Sequence, residues 1–327
     1  MEQELGRCVA SWCPGATGVV GAARLSGGAS QETWSFDIVH PGGNIGAILR
    51  RAPPGYGASP SRAAGLDAEA TLMQLAHDAG LPSPRVMHVL TPQDELGTGF
   101  IMQRIEGETI ARKILRDAQF AKARPVLARQ LGKVAAGIHG LPASKLPKLR
   151  QMTATREIAD LEREYRSFDW PRPVFELALR WLGDHDPGPA QEVTLVHGDF
   201  RHGNLIIGPE GLRAVLDWEL AHLGDPTEDL GWICVNSWRF GEIDRPVGGF
   251  GSREELFAGY EQAGRRVDPD RVKFWEVMGT LRWGVMCCGM MQRFRSGPDH
   301  SMERAMIGRR SSETEIDLLR LLAPRGK

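Results

Sequence analysis

The stretch LVHGDFRHGNLII, Leu195 to Ile207, decides how the rest of the chain is read. Apolar ends, Leu195–Val196 and Leu205–Ile207, bracket five polar side chains: His197, Asp199, Arg201, His202 and Asn204. Apolar flanks imply burial, and buried carboxylates and imidazoles are costly unless paired, hydrogen-bonded or bound to a metal. A few residues on, LRAVLDWE at 212–219 forms a second short apolar run beyond the turn Gly208–Gly211, so the pair reads as a hairpin. That hairpin brings Asp217 alongside the loop holding Asn204. One carboxylate and one amide oxygen suit a hard cation such as Mg²⁺, which takes few protein oxygens and fills its shell with water and phosphate. Asp199 is then free to orient a substrate hydroxyl and accept its proton. The division matches phosphoryl transfer: a base, an Asn five residues later, and a metal-binding Asp beyond.

Working outward, residues 1–105 read as a small antiparallel sheet with one inserted helix. A helix over 1–14 closes at Pro14–Gly15. Two strands follow around a turn at Gly27–Gly28, with apolar alternation at Trp34, Phe36 and Ile38, and Ile45 to Arg51 is a third. The Pro- and Gly-rich PPGYGASPS is a loop, 66–80 has helical spacing with Gly80 at its end, and VMHVL and GFIMQRI are further strands. Beyond Ile105–Glu106–Gly107 the character changes. Helices are expected at 120–140, 154–166, 172–183, 225–237, 252–264, 268–294 and 301–323. The expected fold class is α+β and bilobal: a nucleotide-binding lobe over 1–105 and a helical catalytic and acceptor-binding lobe over 106–327, with the ligand in the cleft.

Composition narrows the function. The 327 residues carry a formal net charge of −1, so no global field favours nucleic acid or a membrane surface. No run of apolar residues is long enough to span a bilayer, and the opening MEQELGRCVASW is unlike a secretory signal. Five cysteines without framework spacing read as free thiols, which suits a cytoplasmic protein.

HGDFRHGN, LDWE and GDPTEDLGW (224–232) together resemble the aminoglycoside phosphotransferase family of kinase-like small-molecule kinases, closest in look to the branch fused to acyl-CoA dehydrogenases. That resemblance implies the protein-kinase-like bilobal fold, ATP or GTP as donor with Mg²⁺, and a small-molecule hydroxyl as acceptor. By the same resemblance Asp199 is the catalytic base, and Asn204 and Asp217 are metal ligands. LSGGASQETW, with Ser30, resembles the loop over the phosphates. GAILRR places Arg50 where protein kinases carry lysine, with Glu69 as its ion-pair partner. MQRI resembles the interlobe hinge, where Gln103 and Ile105 would meet the base. His197, Asp225 and Asp229 would support the catalytic loop, Asp225 and Asp229 chiefly by capping. Strand alternation turns Arg51 away from Arg50.

Other readings stand beside these. His197, Asp199 and His202 spell H-x-D-x-x-H, which could ligate a transition metal in a hydrolase. The chain could also bind nucleotide without turnover. Trp218 and Trp232 read as core. Glu219 could touch metal or acceptor. Trp275, Trp283, Met286, Met290 and Met291 are either plain core or an apolar acceptor wall. Residues 233–327 hold 16 Arg plus Lys against 13 Asp plus Glu, with pairs at Arg265–Arg266 and Arg309–Arg310. A polycationic aminoglycoside would call for the opposite surplus, so an anionic or hydroxyacyl acceptor is expected.

Overall fold

The structure, a computed structural model, describes residues 1–25, 31–52, 63–297 and 301–323. Helix α1 (Glu2–Trp12) leads into a five-stranded antiparallel sheet in the order β1-β2-β3-β5-β4. Its strands are β1 (Gly18–Leu25), β2 (Glu32–Val39), β3 (Ile45–Ala52), β4 (Val86–Val89) and β5 (Thr98–Gln103). The period-two pattern of β2 sends Phe36 and Ile38 into a core shared with Leu5 and Val9 of α1. Helix α2 (Leu66–Asp78) covers the other face, where Leu72 and Met73 pack with Ile48, Phe100 and Met102. The register sets Arg50 opposite Thr33 and Phe100. Because side chains alternate, Arg50 and Arg51 leave the sheet on opposite faces.

From Ala111 onward the chain is mainly helical. α3 (Ala111–Arg116) precedes α4 (Arg124–His139), so the expected helix over 120–140 starts later and is joined by a helix that the periodicity did not show. Pro125 in its first turn explains the start, since proline's missing N–H is no loss there. α5 (Ala154–Arg166) begins where the Thr153 hydroxyl accepts from the Arg156 N–H, and α6 (Pro173–Asp184) starts on a proline. α8 (Arg253–Gln262) carries a full capping box, Ser252 with Glu255. α4 and α8 touch backbone to backbone: a Cβ on Gly132 would stand 2.0 Å from the Leu256 carbonyl oxygen, and one on Gly259 2.1 Å from that of Arg129.

Two expectations need correction, and the helix expected at 268–294 is present. The helix at 225–237 is only α7 (Thr227–Trp232), followed by a separate 3₁₀ turn at Asn236–Trp238. α9 runs Pro269–Ser296. The last helix is two, α10 (Met302–Arg309) and α11 (Ser311–Leu322), broken at Arg310, whose guanidinium pairs with Glu313 and lies over the Trp283 ring. The sequence also gave no sign of the strand pair β6 (Thr194–Val196) and β9 (His222–Gly224), each too short to show a period. The expected hairpin is present as β7 (Leu205–Gly208) with β8 (Gly211–Val215). Among the described residues no helix is long and apolar enough to cross a membrane.

Candidate active site between the sheet and the helices

The loop 197–204 runs between β6 and β7, whose apolar residues are buried and hold its ends. Asp229 in α7 organises its start. One carboxylate oxygen accepts the His197 N–H at 2.8 Å and the other the Gly198 N–H at 2.9 Å. Gly198 sits at φ +81°, and a Cβ there would stand 2.6 Å from the Leu220 carbonyl oxygen, so the position requires glycine. The His197 ring works on the other side. Its Nδ1 accepts the Asp199 N–H at 3.2 Å, which puts the ring proton on Nε2, 3.0 Å from the Leu216 carbonyl. The ring therefore ties the loop to the residue before Asp217. It is the backbone of His197, and not its ring, that meets a carboxylate of the 224–232 segment.

Both Asp199 oxygens are hydrogen-bonded, and Oδ2, with one donor, keeps an acceptor site. Oδ1 accepts from Arg201 Nε and from Trp232 Nε1, both at 2.8 Å, and Oδ2 accepts from Asn204 Nδ2 at 2.7 Å. Asn204 Nδ2 also donates to the Asp199 carbonyl at 2.9 Å. Both partners are acceptors, so the amide must turn its NH₂ toward Asp199, and its Oδ1 remains for a cation. The Asn204 carbonyl accepts the Leu216 N–H at 2.8 Å, which puts Asp217 beside it at the end of the hairpin. Asp217 takes a left-handed backbone, φ +66°, and its side chain is partly open to the cleft. Two hard oxygen donors at the open end of the hairpin, one before β7 and one after β8, fit the demands of Mg²⁺. Glu219 stands close by, and burial with the neighbouring Asp217 charge pushes its carboxyl up.

The sheet contributes Arg50. Its Nη2 lies 2.6 Å from Asp217 Oδ1 and 3.4 Å from Glu219, while Nε faces Glu69 at 3.3 Å and the Gln31 side-chain oxygen at 2.7 Å. Glu69 is 1% exposed, and burial pushes its carboxyl up to about 8 against the pull of Arg50. Arg51 faces away, onto Glu32 at 2.9 Å. Arg50, Glu69, Gln103, Ile105 and Asp217 line one cavity of about 350 Å³, floored by Ile48, Met102 and Ile206. The Gln103 N–H is spent on the Arg85 carbonyl at 2.9 Å, so only its carbonyl can serve a ligand; the Ile105 N–H has no acceptor among the described residues. Ser30 lies outside the described residues.

Asp225 is placed otherwise. Its carboxylate accepts from the Thr227 N–H and hydroxyl and pairs with Arg271, so it shapes the turn into α7 without touching the loop 197–204. Sequence reading missed Trp232 and Arg201 on Asp199, Gln31 on Arg50, and His139, which reaches Asp229 at 3.0 Å. Arg201 could have been suspected from its place two residues after Asp199. The others come from distant segments and leave no local pattern.

The H-x-D-x-x-H trio does not converge. His202 is buried with Nε2 on the Gly248 carbonyl at 2.6 Å, and burial pulls its pKa down to about 4. Among the described residues the one group of three or more His, Cys, Asp and Glu side chains close enough to share an ion is Cys8, His88 and Asp94. It lies under α1, and Asp94 there already accepts from His88 and Thr91.

A sheet carrying Arg50, a helix against it carrying Glu69, and a mainly helical region whose loop and hairpin carry Asp199, Asn204 and Asp217 make up a kinase-like small-molecule phosphotransferase. The chain belongs to the phosphotransferase enzyme family (APH), which it matches over residues 21–275. Its curated relatives include acyl-CoA dehydrogenase family member 10 of Mus musculus, 31% identical over 58% of this chain. Another is acyl-CoA dehydrogenase family member 11 of Gallus gallus, 27% identical over 71%. The chain spans only 18% and 30% of the lengths of these two. Among solved structures, a Ralstonia eutropha protein classed with the aminoglycoside phosphotransferases has the same fold, with TM-score 0.73 and 21% identity over 98% of this chain and 97% of that one. The spectinomycin phosphotransferase APH(9)-Ia, solved with ADP and spectinomycin, gives TM-score 0.65 and 15% identity over 98% and 99%.

Proposed function

We propose that the protein transfers the γ-phosphate of ATP or GTP, with Mg²⁺, to a hydroxyl of a small anionic or hydroxyacyl metabolite. The observation that carries this is the set Asp199–Asn204–Asp217: Asn204 is bonded to Asp199 and to the residue before Asp217, and Asp217 lines the cavity with Arg50 and Glu69. Residues 1–105 act as the nucleotide lobe and 106–327 as the catalytic and acceptor lobe. Asp199 orients the acceptor hydroxyl and takes its proton. Asn204 Oδ1 and Asp217 hold the metal, which when bound neutralises the phosphate charge. Arg50 leaves Asp217 for the phosphate tail while Glu69 keeps it in the cleft. The backbone of Gln103 and Ile105 meets the base. The protein contributes positioning and charge stabilisation.

The acceptor side is argued from charge. Arg201 lies 4.7 Å over the Trp238 ring, Trp238 contacts Trp283 at 5.0 Å, and Arg310 covers Trp283 at 5.7 Å. This guanidinium-and-indole row leads outward from Asp199 and suits a ligand with an anionic and an apolar part. Trp275 does not belong to it, being packed in the helical core with Phe274. Arg265 is spent on Glu192 and the His139 carbonyl. That curated relatives are acyl-CoA dehydrogenase family members supports an acyl acceptor, and the ADP in the spectinomycin enzyme supports an adenine nucleotide. The test is radiolabelled transfer from ATP and from GTP to aminoglycosides, hydroxy acids and hydroxyacyl-CoA thioesters. Transfer confined to aminoglycosides overturns the acceptor assignment, and no transfer to any class overturns the enzymatic reading.

A further inference from the structure

We propose that Arg201 is a specificity-determining residue for the acceptor: one arm of its guanidinium receives a carbonyl or carboxylate oxygen that the acceptor carries a few atoms from its reacting hydroxyl. The place of the hydroxyl rests on the phosphotransfer reading; the contact with the second oxygen does not. Three contacts fix the guanidinium. Nε donates to Asp199 Oδ1 at 2.8 Å, Nη1 donates to the His202 carbonyl at 2.7 Å, and Cζ stands 4.7 Å from the centre of the Trp238 ring. Trp238 is itself buried, packed against Trp232 at 5.3 Å and Trp283 at 5.0 Å. Gly203 makes room for the fork: it sits at φ +94°, and a Cβ there would stand 2.9 Å from Nη1. An arginine held this way has lost its rotamer freedom before a ligand arrives, so the ligand gains more from the contact.

The remaining arm is open. Nη2 has no hydrogen-bond partner among the described residues, and the side chain is 28% exposed. In the planar fork Nη2 shares an edge with Nε, and that edge is turned to Asp199. Asp199 Oδ1 already accepts from Arg201 and Trp232, so a hydroxyl goes to Oδ2, which has one donor. The hydroxyl site and Nη2 are therefore neighbours, and a ligand that reaches both has its two oxygens a few carbons apart, as in a short hydroxyacyl group. Arg201 faces the acceptor and not the γ-phosphate. Asn204, on Oδ2, leads through Leu216 to Asp217 and Arg50, where metal and phosphate are held. Arg201 stands on the other oxygen with Trp232, and its face lies on the indole row Trp238–Trp283.

Three acceptors test this with Mg–ATP: β-hydroxybutyrate, its CoA thioester, and the matching butane diol, which has the hydroxyl and lacks the carbonyl. Wild type is compared with Arg201→Gln and Arg201→Lys. Any loss through a misplaced Asp199 strikes all three acceptors alike, so the difference between them isolates the oxygen contact. Arg201→Gln should lower kcat/KM for the acid and the thioester by about 10- to 100-fold more than for the diol, the scale of a hydrogen bond to a charged group. Arg201→Lys should restore at most part of that preference, because an ammonium cannot serve Asp199 and a second oxygen from one edge. Equal losses for the three acceptors, matched by the loss in ATP hydrolysis by water, overturn the proposal and assign Arg201 to Asp199 or the phosphoryl group. Full preference in Arg201→Lys also overturns it, since a point charge then suffices. If Arg201→Gln does not fold, the lysine variant alone decides on the same terms. A wild-type enzyme that phosphorylates none of the three refutes the functional reading, and calorimetry with the same compounds then decides this one. Weaker binding of acid and thioester in Arg201→Gln, with the diol unaltered, supports the contact. Equal binding in both proteins, or no binding to wild type, overturns it.

Discussion

Replacing Asp199 by Asn is the expected way to silence the proposed base, but the hydrogen bonds around it make the consequences divisible. Arg201 Nε and Trp232 Nε1 both point donors at Oδ1, so the new amide must place its oxygen there. Its NH₂ then occupies the Oδ2 position, 2.7 Å from the Asn204 NH₂, donor against donor. Asn204 keeps its bond to the Asp199 carbonyl but loses the charged one. A hydrogen bond to a charged group contributes about 1.5–3 kcal/mol, and part of that is retained through the carbonyl, so Mg–nucleotide binding should weaken by no more than about tenfold. Loss of the base should lower kcat by roughly 10²–10⁴-fold. Asp199→Ala avoids the donor clash, so it should lose similar turnover with less effect on nucleotide affinity. Calorimetry with a non-hydrolysable Mg–nucleotide and steady-state transfer separate the two effects. Near-normal kcat in both variants would show that Asp199 is not the base. Tighter nucleotide binding in Asp199→Asn than in Asp199→Ala would refute the clash.

Asp217→Ala removes a proposed metal ligand, so metal-dependent nucleotide affinity and turnover should both fall, and unchanged metal dependence in calorimetry would place the metal elsewhere. Arg50→Ala should weaken triphosphate binding far more than nucleoside binding, whereas Arg51→Ala, which loses Glu32 on the far face, should do much less; the reverse order would contradict the strand register. His202 is held neutral in the folded state with a pKa of about 4, against the ordinary 6.5, so the unfolded chain binds its proton first as pH falls. Stability should therefore drop between about pH 6.5 and 4, by up to about 3 kcal/mol, and level below. His202→Gln should flatten that part of a Tm–pH curve, and an unaltered slope would show that His202 does not titrate there.

What could be read in advance follows from how local each cause is. The hairpin joining Asn204 to Asp217 and the opposite facing of Arg50 and Arg51 rest on turns and alternation within a few residues, and both are present. The division of 225–237 and 301–323 into shorter elements was not legible, because each break depends on tertiary packing. Gly308 lies against Met291, where a Cβ would stand 2.9 Å from that side chain, and Arg310 turns to Trp283. The surroundings of Asp199 were hidden for the same reason. Trp232 follows 33 residues later, and in sequence it is one apolar residue of a short helix. His139 precedes its partner Asp229 by 90 residues and sits in a helix of ordinary apolar pattern. Polar residues that act by long-range contact leave no spacing to recognise.

The proposed role of Arg50 as the counterpart of a kinase lysine is supported by the shape of its surroundings. The guanidinium faces two ways. Nε looks back to the buried Glu69 and to the half-buried Gln31, while Nη2 looks outward to Asp217 and Glu219. A fork with separated donors can keep its inner contacts while its outer edge exchanges a carboxylate for a phosphate. An ammonium is a single point and cannot serve both directions at once. In Arg50→Lys the charge is conserved, but either Glu69 or the outer partner loses its cation. Glu69 has little else, being 1% exposed and pushed up to about 8 by burial even with Arg50 present, so loss of that pairing pushes its carboxyl further up and removes what charge it keeps near neutral pH. Arg50→Lys should therefore show weaker Mg–nucleotide binding than wild type, and Glu69→Gln should cost much less in the lysine background than in the arginine one. A double-mutant cycle read by calorimetry gives the coupling. Equal costs of Glu69→Gln in both backgrounds would mean that Arg50 acts as a point charge and that its fork has no part in holding the nucleotide.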